Sequence, residues 1–259
     1  PIDLQLHLFD AVVCPTLLYG CEVWGCEDLA LIERLHLRFC KILLQVNKST
    51  CSNMVYGELG RTPLGIVSTV RVLGFWYGLI KSEESKLSCL LYKLLYKLSE
   101  QNLYTSKWIE FVNDTLNNSG FSAYWINQDI PLSRKCFTSI IKQRLCDQFK
   151  QKWSEEVYSS SKCTNYRMFK VNFEFEKYLI QLPPLLRRYL CRFRCRNHRL
   201  PVEMCHIVNT DDKCCSLCDL NEIGDEFHYL LKCKAFAIER AVYIKRFYCN
   251  KPSSLKLCT

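Results

Sequence analysis

Glycine and proline are scarce in this 259-residue sequence, at 9 and 8 residues. Folds made of many short strands use both at their turns, so a strand-and-turn plan is disfavoured. No glycine-rich phosphate loop, Gly-x-Ser-x-Gly elbow or His-Glu-x-x-His helix occurs, which argues against the corresponding nucleotide, acyl-transfer and metalloprotease chemistries. Carboxylates are not grouped as two-metal phosphoryl transfer requires. The pair Asp211-Asp212 sits in a polar stretch and reads as a loop. No catalytic centre is expected in this chain.

Uninterrupted apolar runs are missing too. Residues 63–80 (PLGIVSTVRVLGFWYGLI) carry Arg71 mid-run, and Lys81 follows directly. A central Arg costs about 2.5–3.5 kcal/mol on insertion scales, so this segment reads as a buried helix and no membrane partner is expected. No charged-then-apolar leader opens the chain. The 18 cysteines spread from Cys14 to Cys258 instead of forming a small secreted framework. They read as reduced thiols of an intracellular protein, cytoplasmic or nuclear. Residue 1 is Pro and lies inside an amphipathic pattern, so the expectation is a fragment whose chemistry lies upstream.

What is present suits a folded helical protein. Hydrophobic residues make up 49% and charged residues 24%, an ordinary globular balance that argues against general disorder. Lys and Arg outnumber Asp and Glu by 35 to 26, a formal charge of +9, which suits an anionic partner such as nucleic acid or a membrane surface.

Apolar residues recur at helical spacing. Leu29, Ile32, Leu35, Phe39 and Ile42 form one stripe; Ile66, Val70, Leu73, Tyr77 and Ile80 form another. The second is introduced by Thr62 as N-cap and Pro63 at the first helical position. Residues 87–98 and 108–116 read as two more helices. Ser133 caps a long helix with Phe137, Ile140, Ile141, Leu145, Phe149, Trp153 and Val157 inward. Ser159–Ser161 reads as a linker between a helical body, 1–158, and a basic cysteine-rich tail, 159–259. Phe173, Phe175 and Tyr178 begin a strand or a helix, and Pro183-Pro184 restart a helix. The fold class is mainly α with a small C-terminal zinc-binding module.

Nine of the 18 cysteines fall between Cys191 and Cys258. Within them, Cys215-x2-Cys218 followed by His228-x4-Cys233 supplies three thiolates and one imidazole, the ligand set of a closed tetrahedral site for structural Zn2+. Residues 225–232 read as the start of a helix presenting His228, and Gly224 as the point where the chain reverses. Cys214 is a competing ligand, and Cys191, Cys195 and His198 a candidate second site. Cys205 and His206 are ambiguous. Upstream, Arg187, Arg188, Arg192, Arg194, Arg196 and Arg199 crowd one stretch without an acidic residue. Arg188, Arg192 and Arg196 recur every four residues and would line one helical face able to track a phosphate backbone.

Three stretches together resemble the C-terminal part of LINE-type (non-LTR) retrotransposon reverse transcriptases. They are 8–25 (LFDAVVCPTLLYGCEVWG), 56–76 (YGELGRTPLGIVSTVRVLGFW) and 190–236, which holds the arginine-rich and Cys-Cys-His-Cys elements. The resemblance implies a thumb-like helical body and a zinc tail that position template RNA or target DNA. The catalytic palm of an RNA-directed DNA polymerase, often joined to an endonuclease, would lie before residue 1. The family usually has a Gly-Arg pair after its Leu-x-x-Glu stretch; here Met204 and Cys205 stand instead. The rival expectations are a zinc-stabilised protein-interaction module and an inactive truncated element copy.

Overall fold

The computed structural model describes residues 1–208 and 213–253, the side chains of 205–208 excepted, and its repeating elements are helices. Among the described residues no strand forms; a single antiparallel bridge joins Cys214 and Ile223. The pair Asp211-Asp212 lies outside the described residues, as do the side chains of Cys205 and His206.

The chain divides into two compact units. The first is Pro1–Leu37 with Thr62–Lys152; the second is Arg38–Arg61 with Trp153–Thr259. The sequence reading places a single cut near 158; this division groups 38–61 with the chain from Trp153 onward. Trp153 and Val157 are buried, and the Trp153 indole N–H donates to the Asn53 carbonyl at 2.8 Å. These contacts draw the end of the helix Arg134–Ser159 and the 38–61 segment into the second unit.

In the first unit, Val72, Leu73, Trp76, Leu79, Tyr92, Ile109, Val112, Leu116, Ile130, Phe137 and Ile141 make the core. They come from the helices Leu64–Ile80, Leu87–Glu100, Lys107–Asn118 and Arg134–Ser159 and from the segment before the last. Trp76 donates to the Tyr92 hydroxyl at 2.8 Å, so its buried N–H is satisfied. Ser106 caps the Ile109 N–H and Ser133 the Cys136 N–H, both at 3.3 Å. Near the start, a π segment at Phe9–Val13 interrupts the helix; Pro15 has no N–H for the Ala11 carbonyl, and the turn widens just before it.

Three helix details depart from expectation. Helix Leu64–Ile80 starts one residue later than expected, because Pro63 is itself the extended cap residue. Its N-terminus is closed by a distant carboxylate, Glu33 Oε1, which accepts from the Gly65 N–H at 2.6 Å. The buried positions of the helix Ala30–Leu44 are His36, Cys40 and Leu44, whereas Leu35 and Ile42 are 53% and 65% exposed. His36 stacks on Phe9 with ring centroids 5.5 Å apart. Ile140, expected inside, is 40% exposed.

The second unit is organised around charge. Glu58, fully buried, accepts from Arg194 Nε and Nη2 at 2.9–3.1 Å and from the Tyr178 hydroxyl. Arg194 also pairs with Glu176 at 3.2 Å, and the buried Lys170 joins Glu176 at 2.5 Å. Gly60, which ends the helix Ser52–Leu59, has a φ of 55°, and a Cβ there would lie 2.4 Å from the Phe175 backbone nitrogen. Only glycine meets both demands. Tyr178 begins a one-turn helix, Tyr178–Gln181, while Phe173 and Phe175 are in irregular chain.

Among the described residues no single helix is long and apolar enough to cross a membrane.

Candidate metal centre and the arginine segment

The centre is built from two short pieces of chain. Cys215 and Cys218 flank a tight turn in which the Leu217 N–H points at Cys215 Sγ, 3.4 Å away. The Cys215 N–H donates to the Glu222 carbonyl at 2.9 Å and the Gly224 N–H to the Lys213 carbonyl at 2.8 Å, closing a small loop. Asn221, at φ 51°, supplies the left-handed residue in that loop. Gly224 is required for a different reason than the reversal expected of it. A Cβ at this position would stand 2.8–3.2 Å from the ring atoms of Pro201, so it is the close approach of proline that excludes a side chain.

After Gly224 the Asp225 side chain accepts from the His228 N–H at 2.8 Å, starting the helical turns that carry His228. These widen into a π segment, His228–Lys232, which ends at Cys233. The Cys233 N–H donates to the His228 carbonyl at 2.7 Å, holding the two ligand residues together.

The donor atoms of Cys215, Cys218, His228 and Cys233 all lie within 4.8 Å of one another, and the four could hold a metal ion. Cys215 Sγ and Cys233 Sγ are 3.8 Å apart; Cys218 Sγ and His228 Nε2 are 3.4 Å apart. Cys215, His228 and Cys233 are buried, and Cys218 is half-buried. His228 Nδ1 faces Glu222 Oε2 at 3.2 Å, and Lys232 holds the other Glu222 oxygen at 3.0 Å. That pairing orients the ring so that Nε2 points into the cluster.

Electrostatics favour a thiolate at Cys215. Burial by itself would raise this thiol, but hydrogen bonding with Tyr229, the Leu217 N–H, His228 and Cys233 outweighs it and brings the value down to about 6. Burial raises Cys233. The hydrogen bond from Lys232, with that of His228, holds the Glu222 carboxyl below its usual range.

The other metal candidates are not assembled among the described residues. Cys214 is not part of the cluster. Cys191 and Cys195 are buried and hydrogen-bonded to each other. His198 Nε2 instead meets Glu226 at 2.8 Å, a carboxylate further held by Asn165.

The arginine face is reorganised. The helix Pro184–Arg194 ends before Arg196, which lies beyond Cys195 in left-handed backbone at φ 50°. Arg188, Arg192 and Arg196 therefore do not share one helical face. Arg196 pairs with Glu203, its Nε donating at 2.7 Å, and also reaches the Ser161 and Lys162 carbonyls at 3.3 Å. Arg194 is committed to Glu58. Arg192 Nε donates to the Gln45 carbonyl at 2.8 Å and Arg187 to the Leu179 carbonyl at 3.1 Å. Arg188 is half-buried, with Nε unpartnered among the described residues, and Arg199 is exposed. The run is in large part internal scaffolding. Glu58, the residue that most determines this, lies 136 positions from Arg194, and only the absence of a nearby acid signalled that a distant one was needed.

No family model matches the chain, and no curated protein or solved structure matches it either.

Proposed function

We propose that Cys215, Cys218, His228 and Cys233 bind one structural zinc ion, and that the chain is a nucleic-acid-binding part of a retrotransposon reverse transcriptase. In this reading it positions template RNA or target DNA for a polymerase domain encoded upstream. The convergence of the four donor atoms carries the zinc assignment. A tetrahedral site with zinc–sulfur distances of about 2.3 Å has sulfur–sulfur edges of about 3.8 Å and sulfur–nitrogen edges of about 3.6 Å. The corresponding pairs stand at 3.8 and 3.4 Å. Three thiolates and an imidazole are soft enough for zinc and fill all four positions. When bound, the ion cross-links the 215–218 turn to the 228–233 segment, and no catalytic step is assigned to it.

The nucleic-acid half of the reading rests on the surplus charge of +9 and on the resemblance of residues 190–236. With Arg194 and Arg196 engaged internally, and Arg187 and Arg192 each holding one backbone carbonyl, the cations of this region that face solvent at least in part include Arg199, Arg187, Arg188 and Arg192, and the exposed Lys213 and Lys234 beside the cluster. Neutralising each phosphate releases condensed counterions, so affinity should fall with salt at a slope of about 0.7–0.9 per contact. Replacing Arg188, Arg192 and Arg199 with Ala should flatten that slope by about two to three units and leave the bound metal unchanged. Unaltered affinity and slope would refute this placement. Little affinity at any salt would instead favour a protein-interaction module, for which Ile238, Val242 and Tyr243, 79%, 68% and 84% exposed, are the specific feature.

A further inference from the structure

Apart from the Cys215–Cys233 contact and the Cys191–Cys195 pair, another two thiols meet in the second unit. Cys51 immediately precedes the helix Ser52–Leu59, and its sulfur is 3.9 Å from that of Cys163, 112 positions away. Cys163 is buried at the end of the short 3-10 helix Ser161–Cys163. Cys51 is half-buried and opens onto a cavity of about 500 Å³, whose lining includes Thr50, Lys162, Cys195, Arg196 and Glu203. Thr50 is only 7% exposed, yet its hydroxyl has no hydrogen-bond partner among the described residues. A buried orphan hydroxyl beside a roomy polar cavity calls for a small polar guest.

We propose that Cys51 and Cys163 form an oxidisable dithiol, with Cys51 oxidised first by hydrogen peroxide and Cys163 resolving the product. Three features separate the roles. The Cys163 thiol hydrogen-bonds to Cys51; together with the Asn53 and Met54 backbone N–H groups and the Lys162 charge it outweighs burial and lowers Cys51 to about 6. A thiol at a helix start beside a cation is the environment in which thiolates persist. The same hydrogen bond, with burial, raises Cys163 and keeps its proton on. Cys195 shares the cavity, but its hydrogen bond to Cys191 and full burial raise it as well, so it is the less reactive neighbour.

The chemistry balances with peroxide as the sole oxidant. The Cys51 thiolate attacks one peroxide oxygen and the O–O bond breaks. Hydroxide leaves and is protonated to water, and Cys51 becomes a sulfenic acid. The Cys163 sulfur then attacks Cys51 Sγ, the S–O bond breaks, and the displaced hydroxide takes the Cys163 proton. Two thiols and one peroxide give one disulfide and two waters. The sulfurs must close from 3.9 Å to about 2.05 Å, a shift on the scale of a side-chain torsion. The product would tie the start of the Glu58 helix to the 161–163 segment.

The test uses the reduced 259-residue chain with zinc supplied, exposed to one equivalent of hydrogen peroxide, alkylated, digested and mapped by mass spectrometry. The expected result is a linked peptide joining Cys51 to Cys163. Cys163→Ser should yield a sulfenic acid at Cys51 captured by dimedone, and Cys51→Ser should leave Cys163 fully alkylatable. Absence of the linked peptide from the oxidised parent chain would overturn the proposal, and that outcome needs no variant to fold. Equal oxidation of Cys163 in the Cys51→Ser chain would overturn it as well.

Discussion

The two units solve the same problem with different materials. The first buries a continuous aromatic and aliphatic core, and its lysine–carboxylate pairs stay outside: the partners of Lys81–Asp129 are 41% and 64% exposed, those of Lys93–Glu84 46% and 87%. The second brings charge inside, with Glu58 at 0% and Arg194 at 14%, and adds a four-ligand cluster of thiols and imidazole. Its helices after residue 159 are mostly single turns. Short helices have little apolar face to bury, and their cooperativity is weak. The lesson is that directional polar contacts hold this region where hydrophobic area is thin. A buried pair adds little net stability over a well-packed apolar replacement, yet it becomes costly as soon as one partner is lost.

That contrast can be broken at graded points. If the four-residue cluster holds zinc as proposed, removing the metal should have the largest effect, because binding of a structural zinc supplies on the order of 10 kcal/mol of apparent free energy to a small module. A strong chelator should abolish hydrogen-exchange protection around residues 213–240 while leaving the 64–118 helices protected. Next come single changes at the two centres. Glu58→Ala should cost about 3–5 kcal/mol by stranding the Arg194 charge. Trp76→Ala should cost a similar ~3–5 kcal/mol through a cavity in the first unit's core. Denaturant melts read by exchange should assign each loss to its own unit.

Gly224→Ala is smaller, at about 1–3 kcal/mol, since the proline ring 2.8 Å from the new Cβ cannot swing away. A chelator competition series would register it as weaker metal retention. Lys81→Ala should cost less than about 1 kcal/mol, because an exposed pair is screened and entropically expensive. A loss of several kcal/mol there would remove the distinction between the units.

The parts legible in the sequence were those written locally. The Ser106 and Ser133 caps sit within three residues of the N–H groups they serve, and the four converging thiol and imidazole residues come from two pieces of a 19-residue span. What escaped was encoded at a distance or in an unusual residue. The N-terminus of the helix Leu64–Ile80 is closed by Glu33, 32 positions away, so the local Thr-Pro signal misplaced its start. The buried positions of the helix Ala30–Leu44 include His36 and Cys40, which do not stand out in a stripe of aliphatic residues. Arg194 and Arg196 read as nucleic-acid contacts because buried acids are rare, and the acid that claims Arg194 lies in a segment chosen for its resemblance and not for its charge. Gly224 was singled out correctly, but its constraint is the ring of Pro201, which only the folded chain brings near.

The most direct test of the zinc assignment is cobalt titration of the reduced, metal-free chain followed by optical absorption. Saturation is expected at one equivalent, with intense ligand-field bands of a tetrahedral thiolate site, displaced by zinc and lost in the Cys215→Ser and Cys233→Ser variants. A chain that folds yet binds no cobalt, or binds it equally well without those two sulfurs, would contradict it.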